Sequence, residues 1–314
     1  MTQRAHALRD RIAGHFQPEP PACLGVAVSG GSDSLSLLVL LNDWRKQGGP
    51  ALRAVTVDHG LRPEAAQEAR HVARICSDMG IPHDTLVWEG WDGRGNLPDQ
   101  ARRARYGLMA DWARDLGLDH VALGHTADDQ AETFVMRLAR GAGVDGLSAM
   151  PVRRTIAGIV FCRPALCTTR SALRDVLRSR DIQWIDDPSN EDERFERVRV
   201  RSALQALEPL GIDAENLATV ARQMREASET LYFYALKAAR THVSLEHGDV
   251  VIAREPFADL PNDIARRILK VTLKWISGAE YGPRGRALDN MLWSIHEGRN
   301  MVLSGCLVTC RKNE

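Results

Sequence analysis

Two short stretches carry residue types that could bind a nucleotide and move a proton. Residues 26–36 read VAVSGGSDSLS, an apolar run that ends in a serine, two glycines and Ser-Asp-Ser before a helical pattern. Residues 123–132 read LGHTADDQAE, in which an imidazole and several carboxylates follow another apolar run. A glycine-rich turn between a strand and a helix is typical of phosphate binding, and carboxylates near an imidazole suit cation binding or proton transfer. Both stretches are candidates for an active site.

The glycine-rich turn predicts an anion site without a lysine. Gly30 and Gly31 permit positive φ and a close approach of the backbone to a ligand, and the amides of the following helix would face an anion. A Walker loop would need GxxxxGKS or GxxxxGKT, and no such lysine follows. Asp33 beside phosphates makes electrostatic sense as a Mg²⁺ ligand. The structural alternative is a tight turn in which Ser32 or Asp33 caps the helix.

The second stretch predicts a helix with an acidic face. His125, Asp128 or Asp129, and Glu132 recur at helical spacing, so one face carries an imidazole and at least two carboxylates. Such a face could ligate Mg²⁺, position a cationic amine or take a proton from it. Thr126 with Asp129 also predicts a capping box, which would explain the early acids by helix termination alone. Capping explains neither His125 nor Glu132.

A basic pair with a tyrosine follows at helical spacing in NLPDQARRARYGLM, residues 96–109. Arg102, Arg105 and Tyr106 fall at i, i+3 and i+4, so they share one helical face. Such a face could hold a phosphate while the ring stacks on a base. The alternative is a solvated face with Tyr106 half-buried.

A second arginine pair, Arg197 and Arg201, lies in ERFERVRVR. The two guanidinium groups could bind nucleotide phosphates or a nucleic-acid backbone. The alternative is a salt-bridged helix, because Glu193 and Glu196 are close in sequence.

The pattern around these stretches predicts an α/β fold with a doubly wound, mostly parallel sheet. Apolar runs and amphipathic stretches alternate at the spacing of βαβ units. Ligands of such sheets bind beyond the carboxyl ends of the strands, where the chemical stretches fall. The predicted strands are 23–29, 52–58, 83–89 and 120–124, and the predicted helices are 33–47, 63–79, 97–117 and 126–140.

Two domains are expected within the 314 residues. Residues 1–208 form the predicted catalytic domain, and residues 209–314 a smaller, mainly helical domain that binds substrate. Within the second domain the pattern predicts a strand at 248–253 and helices near 261–276 and 284–296. A homodimer through this domain is one arrangement that the organisation allows.

Composition indicates a cytoplasmic protein without a membrane span. Lys+Arg and Asp+Glu both total 41, so a polyanionic partner must meet local basic patches. The six cysteines form no CxxC, which favours reduced thiols. No stretch approaches 18 apolar residues, and the first twenty residues lack the apolar core of a signal peptide.

Several of these stretches together resemble one known family. SGGSDS resembles the PP-loop of the N-type ATP pyrophosphatases, which cleave ATP between the α and β phosphates. The longer stretch GHTADDQAETFVMRLARGAGVDGLSAM, residues 124–150, resembles the signature of the tRNA(Ile)-lysidine synthase family. Further blocks of that family match VDHGLR at 57–62, residues 96–109 and residues 163–201. Residues 284–310 resemble its next domain more weakly.

The resemblance implies an adenine nucleotide alpha hydrolase-like fold and a ligase reaction. Members of the family use ATP to adenylate the C2 oxygen of the wobble cytidine in tRNA(Ile) with a CAU anticodon. The ε-amine of free L-lysine then attacks C2, AMP leaves and lysidine forms. ATP and Mg²⁺ are the implied cofactors, and that tRNA and L-lysine are the implied partners.

Site residues are carried over by the same resemblance. At one of them the sequence departs from the family, because Arg197-Val198 stands where Arg-Asn is usual. Catalysis is expected of His125, Asp129, Glu132 and Arg197. Nucleotide binding is expected of Ser29, Gly30, Gly31, Ser32, Asp33, Ser34, His59 and Gly124, with Asp33 also the Mg²⁺ ligand. Lysine or tRNA contacts are expected of Asp128, Arg102, Arg105, Tyr106 and Arg201.

Three other functions are less consistent with the sequence. A tRNA thiolase shares the PP-loop, but sulfur delivery usually needs a cysteine pair that Cys23, Cys76, Cys162 and Cys167 do not form in sequence. An amidotransferase-linked ligase would need a glutaminase motif. A catalytically silent anticodon binder would have no use for the loop and the acidic helix together.

Overall fold

A six-stranded sheet organises the first part of the chain. The computed structural model describes residues 3–60, 65–89, 96–186, 194, 196–279, 281–283 and 285–311. Five neighbouring strands run parallel, and one edge strand is antiparallel. The strands are β1 Cys23–Ala27, β2 Ala51–Asp58, β3 His83–Val87, β4 His120–Leu123, β5 Arg153–Ile156 and β6 Ile159–Cys162. Their order is β3-β2-β1-β4-β6-β5.

Helices connect these strands and cover the sheet. Their bounds are α1 Gln3–Gly14, α2 Ser32–Arg45, α3 Ala65–Asp78, α4 Leu97–Asp115, α5 Ala127–Leu138, α6 Val144–Leu147, α7 Arg170–Arg178 and α8 Glu196–Leu207. A short 3-10 helix, Glu208–Leu210, follows α8.

Alternation along the strands divides the core between two faces of the sheet. Leu24 and Val26 of β1 belong to a buried cluster shared with α1, α2, α3 and α7. Ala27 points the other way, into a cluster built around Met109 and Trp112 of α4. Because successive strand residues face opposite sides, both faces must be covered by helices, which explains the continuous apolar runs in the sequence.

The α/β fold with a mostly parallel, doubly wound sheet is confirmed. Each of the four predicted strands overlaps β1 to β4, and each of the four predicted helices overlaps α2, α3, α4 or α5. The hairpin of β5 and β6 was missed. Its strands are four residues each, and polar Arg153-Arg154-Thr155 weakens the apolar pattern of β5.

Met224–Glu314 forms a second compact unit, and Met1–Gln223 forms the first. The division falls inside a long helix, α9 Ala214–His242, so the sequence-based boundary at residue 208 stays a prediction. The elements that follow are β7 Val243–Glu246, β8 Asp249–Ile252, α10 Arg254–Ala258, α11 Asn262–Ser277, α12 Gly285–His296, β9 Met301–Leu303 and β10 Cys306–Val308.

The second unit has its own apolar core and is mainly helical. Leu269 and Leu273 of α11 pack with Leu288 and Met291 of α12. Its two hairpins, β7–β8 and β9–β10, are separate two-stranded sheets. Among the helices in the described parts of the chain, none combines the length and apolarity that a membrane crossing requires.

Candidate active site

The loops after β1 and β4 meet at the point where the strand order reverses. β1 pairs with β2 on one side and with β4 on the other. Chain connections leave these strands in opposite directions along the sheet, which opens the crevice where doubly wound folds bind ligands. Gly124, directly after β4, packs so closely on the start of α2 that a Cβ there would lie 2.7 Å from Ser34 Cα. The glycine-rich turn and the acidic helix are therefore neighbours.

The glycine-rich turn presents an uncapped helix start. Gly30 has a φ of +87°, which favours glycine, and Gly31 is the N-cap of α2 without any side-chain cap. Ser34 Oγ donates to Gly31 O at 3.1 Å and accepts from the Ser29 amide at 3.1 Å. The Ser34 hydroxyl therefore braces the turn from within. The first amides of α2 keep their hydrogen-bonding capacity for an anion, as a phosphate loop requires.

A cavity of about 380 Å³ lies beside the turn. Its lining includes Ser29 and Gly31 from the turn and Val57, Asp58 and His59 from the end of β2. Burial lowers the pKa of His59, and the charge of Arg105 lowers it further. A mixed polar and apolar cavity of this size suits a nucleoside. The structure thus brings His59 to the turn, although Leu61 and Arg62 of the VDHGLR block lie outside the described residues.

Asp129 caps α5 and is held ionised. The Thr126 amide donates to Asp129 Oδ2 at 2.9 Å, and the Thr126 hydroxyl donates to the same oxygen at 3.0 Å. The predicted capping box is present. Burial opposes ionisation, but the charge of Arg170 and the Thr126 hydrogen bonds outweigh it and lower the pKa of Asp129. Asp129 is therefore a fixed negative charge.

Glu132 differs from Asp129 in its hydrogen bonds and in the direction of its pKa shift. Its side chain is fully buried, and Oε1 accepts from Arg201 Nε at 2.5 Å. Oε2 is buried with no hydrogen-bond partner. Burial raises the pKa of Glu132 despite the hydrogen bond from Arg201. A carboxylate with one bound oxygen, one free oxygen and a raised pKa is suited to accept a proton.

His125 stays neutral. Burial lowers its pKa to about 3; Asp129 opposes this shift, and Arg163, Arg105 and Arg197 add to it. Nδ1 is buried with no hydrogen-bond partner. A neutral imidazole in this position can accept or donate a hydrogen bond but brings no charge of its own.

Arg170, which sequence reasoning did not select as a site residue, links the two predicted halves of the site. Its Nε donates to Asp33 Oδ2 at 2.9 Å, and its Nη2 lies 3.6 Å from Asp129 Oδ1. Its Nη1 lies 4.0 Å from Glu132 Oε1, and its backbone amide donates to Asp128 Oδ2 at 2.7 Å. Burial lowers the pKa of Arg170, but the surrounding carboxylates raise it more. In the sequence, the position of Arg170 at the start of a helix, directly after the Thr169 N-cap, could have indicated a site residue.

Tyr106 is buried in the core, and its expected role as a stacking platform stays a prediction. Its ring packs edge-on against Phe161 with centroids 4.9 Å apart. Its hydroxyl accepts from Nη2 of the fully buried Arg163 at 2.9 Å. Arg102 is exposed, with its Cζ 5.9 Å from the same ring. Arg105 lines the cavity beside the turn instead.

The two arginines of α8 have different surroundings. Arg201 pairs with Glu132, and the charge of Arg197 acts on His125. Glu196, a candidate salt-bridge partner of the two arginines by sequence, pairs instead with Arg140 at 2.5 Å. Part of the 163–201 block, residues 187–193 and 195, lies outside the described residues, and Glu193 falls within that part.

Asp33 is the carboxylate at the glycine-rich turn, and its expected role as a Mg²⁺ ligand stays a prediction. Among the described residues there is no group of three or more potential metal ligands. Mg²⁺ in nucleotide sites is commonly held by one or two carboxylates together with the substrate phosphates, and a single aspartate at the phosphate turn meets that requirement. Burial raises the pKa of Asp33, and the adjacent Arg170 opposes that shift.

The sheet order, the uncapped glycine turn and the cavity beside it define a nucleotide-binding domain of the PP-loop class. A PP-loop domain family matches residues 4–208. In structure the chain is similar to a U34-tRNA thiolase from Methanococcus maripaludis, with a TM-score of 0.62 and 17% identity over 72% of this chain and 80% of that one. At that identity the likeness concerns the fold alone.

Sequence comparison identifies the family within the PP-loop class. The chain is 50% identical over 308 residues to a tRNA(Ile)-lysidine synthase of Ruegeria pomeroyi, covering 98% of this chain and 74% of that protein. It is 38% identical to the tRNA(Ile)-lysidine synthase of a Bradyrhizobium species, over 92% of this chain and 88% of that protein. The chain belongs to the tRNA(Ile)-lysidine synthase family.

Proposed function

We propose that this protein adenylates the C2 oxygen of the wobble cytidine in CAU-anticodon tRNA(Ile) and then transfers L-lysine to C2. The observation that carries this proposal is the junction of two kinds of site. The glycine-rich turn with Asp33 is here called the phosphate turn, and α5 with Asp129 and Glu132 the acidic helix. Arg170 contacts carboxylates of both. A reaction that breaks ATP and then uses an amine needs both within one crevice.

The turn and α2 serve the first step. The cytidine oxygen attacks the α-phosphorus of ATP, and pyrophosphate leaves with the electrons of the broken P–O bond. The uncapped amides of α2 and the turn hydroxyls would bind the β and γ phosphates. Mg²⁺ held at Asp33 would supply positive charge against the pyrophosphate. The cavity beside the turn would orient the nucleoside of ATP.

The acidic helix serves the second step. Asp129, held ionised, would attract the ε-ammonium group of lysine, and Oε2 of Glu132 would take one proton from it. The neutral amine then attacks C2, the C2–O bond breaks, and AMP leaves. His125 adds no positive charge, so it does not repel the incoming ammonium group.

The remaining assignments stand as proposals of the same kind. Arg102, Arg105 and Arg197 are proposed to contact tRNA or nucleotide phosphates, and Arg201 is proposed to position Glu132. Residues 209–314 are proposed as the tRNA-binding domain. A cytoplasmic location and a homodimer stay predictions from the sequence.

The test is incorporation of radiolabelled lysine into CAU-anticodon tRNA(Ile) with ATP and Mg²⁺. Wild type should label the tRNA, and Asp33→Ala should not. Asp78→Ala, which changes an exposed carboxylate at the end of α3, is the matched control and should label normally. Release of pyrophosphate without lysine transfer, on other tRNAs or with sulfur donors, would contradict the proposal and favour a thiolase.

A further inference from the structure

The phosphate turn has no lysine of its own, and α7 brings a guanidinium to it. Ser36 Oγ of α2 donates to Leu173 O of α7 at 2.9 Å, which holds the two helices together near the turn. One residue further along, Arg174 Nε donates to the buried Ser32 Oγ at 3.2 Å. Ser32 is the first residue of α2, where a bound phosphate would meet the helix.

The Arg174 side chain is held in this position from the other side. Its Cζ lies 5.7 Å from the centroid of the Trp184 ring, and its Nη2 lies 3.4 Å from Asp186 Oδ1. Trp184 Nε1 donates to the same oxygen at 3.1 Å. Between them, the Ile185 amide donates to Gly30 O at 2.9 Å. The segment that supports Arg174 is therefore attached to the turn itself.

Charge around the turn explains why a second guanidinium is needed. Pyrophosphate gains negative charge as it leaves, and the turn's own groups are amides, hydroxyls and the carboxylate of Asp33, so its only positive charge would be that of the proposed Mg²⁺. Arg170 is already committed to Asp33 and the acidic helix. Arg174 keeps 35% of its side chain exposed, and its anionic partner Asp186 is 75% exposed, so that pair is weak and solvent-screened.

We propose that Arg174 is a ligand of the pyrophosphate leaving group, positioned by Trp184, in the role that a loop lysine has in other nucleotide-binding turns. This inference rests on the proposed use of ATP. Arginine binds phosphate oxygens through paired, charge-assisted hydrogen bonds, which suits this role.

Arg178 provides the matched control. It lies one turn further along α7, and its Cζ is 5.9 Å from the same Trp184 ring. Its Nη1 donates to Asp175 Oδ1 at 3.1 Å, within its own helix. Arg178 thus packs on Trp184 as Arg174 does. Of the two, it is Arg174 that donates a hydrogen bond to the turn.

The experiment is isothermal titration of the full chain with pyrophosphate and with AMP, separately, in the presence of Mg²⁺. Arg174→Gln should weaken pyrophosphate binding about 10-fold or more, as expected for loss of a charged hydrogen bond, and leave AMP binding unchanged. Arg174→Lys should recover part of the loss. Arg178→Gln should stay within about twofold of wild type for both ligands, the usual range of a surface change.

Three results would overturn the inference while leaving the proposed function intact. They are unchanged pyrophosphate affinity in Arg174→Gln, an equal loss of AMP and pyrophosphate affinity in that variant, and an equal loss in Arg178→Gln. Failure of wild type to bind ATP, AMP and pyrophosphate would overturn the proposed function and this inference with it.

Discussion

At the residue scale, the two carboxylates of α5 are distinguished by their surroundings. Asp129 accepts the Thr126 amide and hydroxyl and faces Arg170, so it is saturated and ionised. Glu132 has a free buried oxygen and a raised pKa. Burial without full compensation is how proteins bring a carboxylate toward the pKa of a base. We therefore propose that Glu132 is the proton acceptor and that Asp129 is the cation-binding charge.

Glu132→Gln should slow lysine transfer by about 10²–10⁴-fold, because an amide can keep the contact with Arg201 but cannot take a proton. Pyrophosphate release should stay close to wild type, so adenylated tRNA should accumulate in rapid-quench experiments. Glu196→Gln, at an exposed ion pair with Arg140, is the control. Normal lysine transfer by Glu132→Gln would remove this residue from the mechanism.

His125 predicts a pH dependence of stability. Its folded pKa of about 3 lies below the ordinary 6.5, so the unfolded chain binds the extra proton first as the pH falls. Stability from this residue is present above pH 6.5 and is lost as the pH falls toward 3. Wild type should therefore lose about 2 kcal/mol more than His125→Asn in its free energy of unfolding between about pH 7 and pH 5.

Urea unfolding of both proteins at the two pH values measures this difference. Asp129, the carboxylate that interacts with His125, has a lowered pKa and stays ionised at both pH values. The contributions of the other titrating groups therefore largely cancel in the comparison. Equal losses in the two proteins would show that His125 does not carry this pH dependence.

At the element scale, the site depends on how closely two strand–helix turns approach. Gly124 follows β4 and touches the start of α2, and Thr126 then caps α5. Backbone contact at Gly124, where a side chain has no room, thus holds the phosphate turn next to the acidic helix. This gives Gly124, expected to bind nucleotide, a packing role at the turn.

Gly124→Ala should destabilise the protein by about 1–3 kcal/mol, because the added Cβ meets backbone atoms that cannot rotate away. It should also weaken pyrophosphate binding, since the start of α2 must shift. Gly107→Ala, in α4 with open space around it, is the matched control. That variant should be neutral or more stable by about 0.5–1 kcal/mol. Denaturant unfolding measures the stability of both variants, and equal changes in their free energy of unfolding would contradict the packing role of Gly124.

At the scale of the whole molecule, the chain consists of two compact units with separate cores. The first contains the phosphate turn and the acidic helix, and the second contains a cluster built on α11 and α12. The net charge is zero, so attraction to tRNA must come from local arginines. Ligands of the phosphate turn should stabilise the first unit directly.

Calorimetry should therefore show two transitions, of which ATP with Mg²⁺ shifts one. At a hundredfold excess over Kd the stabilisation of the binding unit is about 2.7 kcal/mol. Asp33→Ala should lose most of the shift and keep both transitions. A single transition that ATP moves as a whole would show that the two cores unfold together.

The sequence alone determined the features whose residues lie close together in the chain. The glycine turn, the acidic helix, the parallel strands and the family could be predicted because each depends on residues within one turn, one helix period or one ordered block. The departure at Val198 was also visible there.

Contacts between distant residues were decided by the tertiary structure. Arg170 reaches Asp33 across 137 positions, Arg201 reaches Glu132 across 69, and Arg163 reaches Tyr106 across 57. These contacts give the two carboxylates different surroundings and place Tyr106 in the core. Helical periodicity specifies which residues share a face, but only the packing of that face determines whether it meets solvent, a core or another charge.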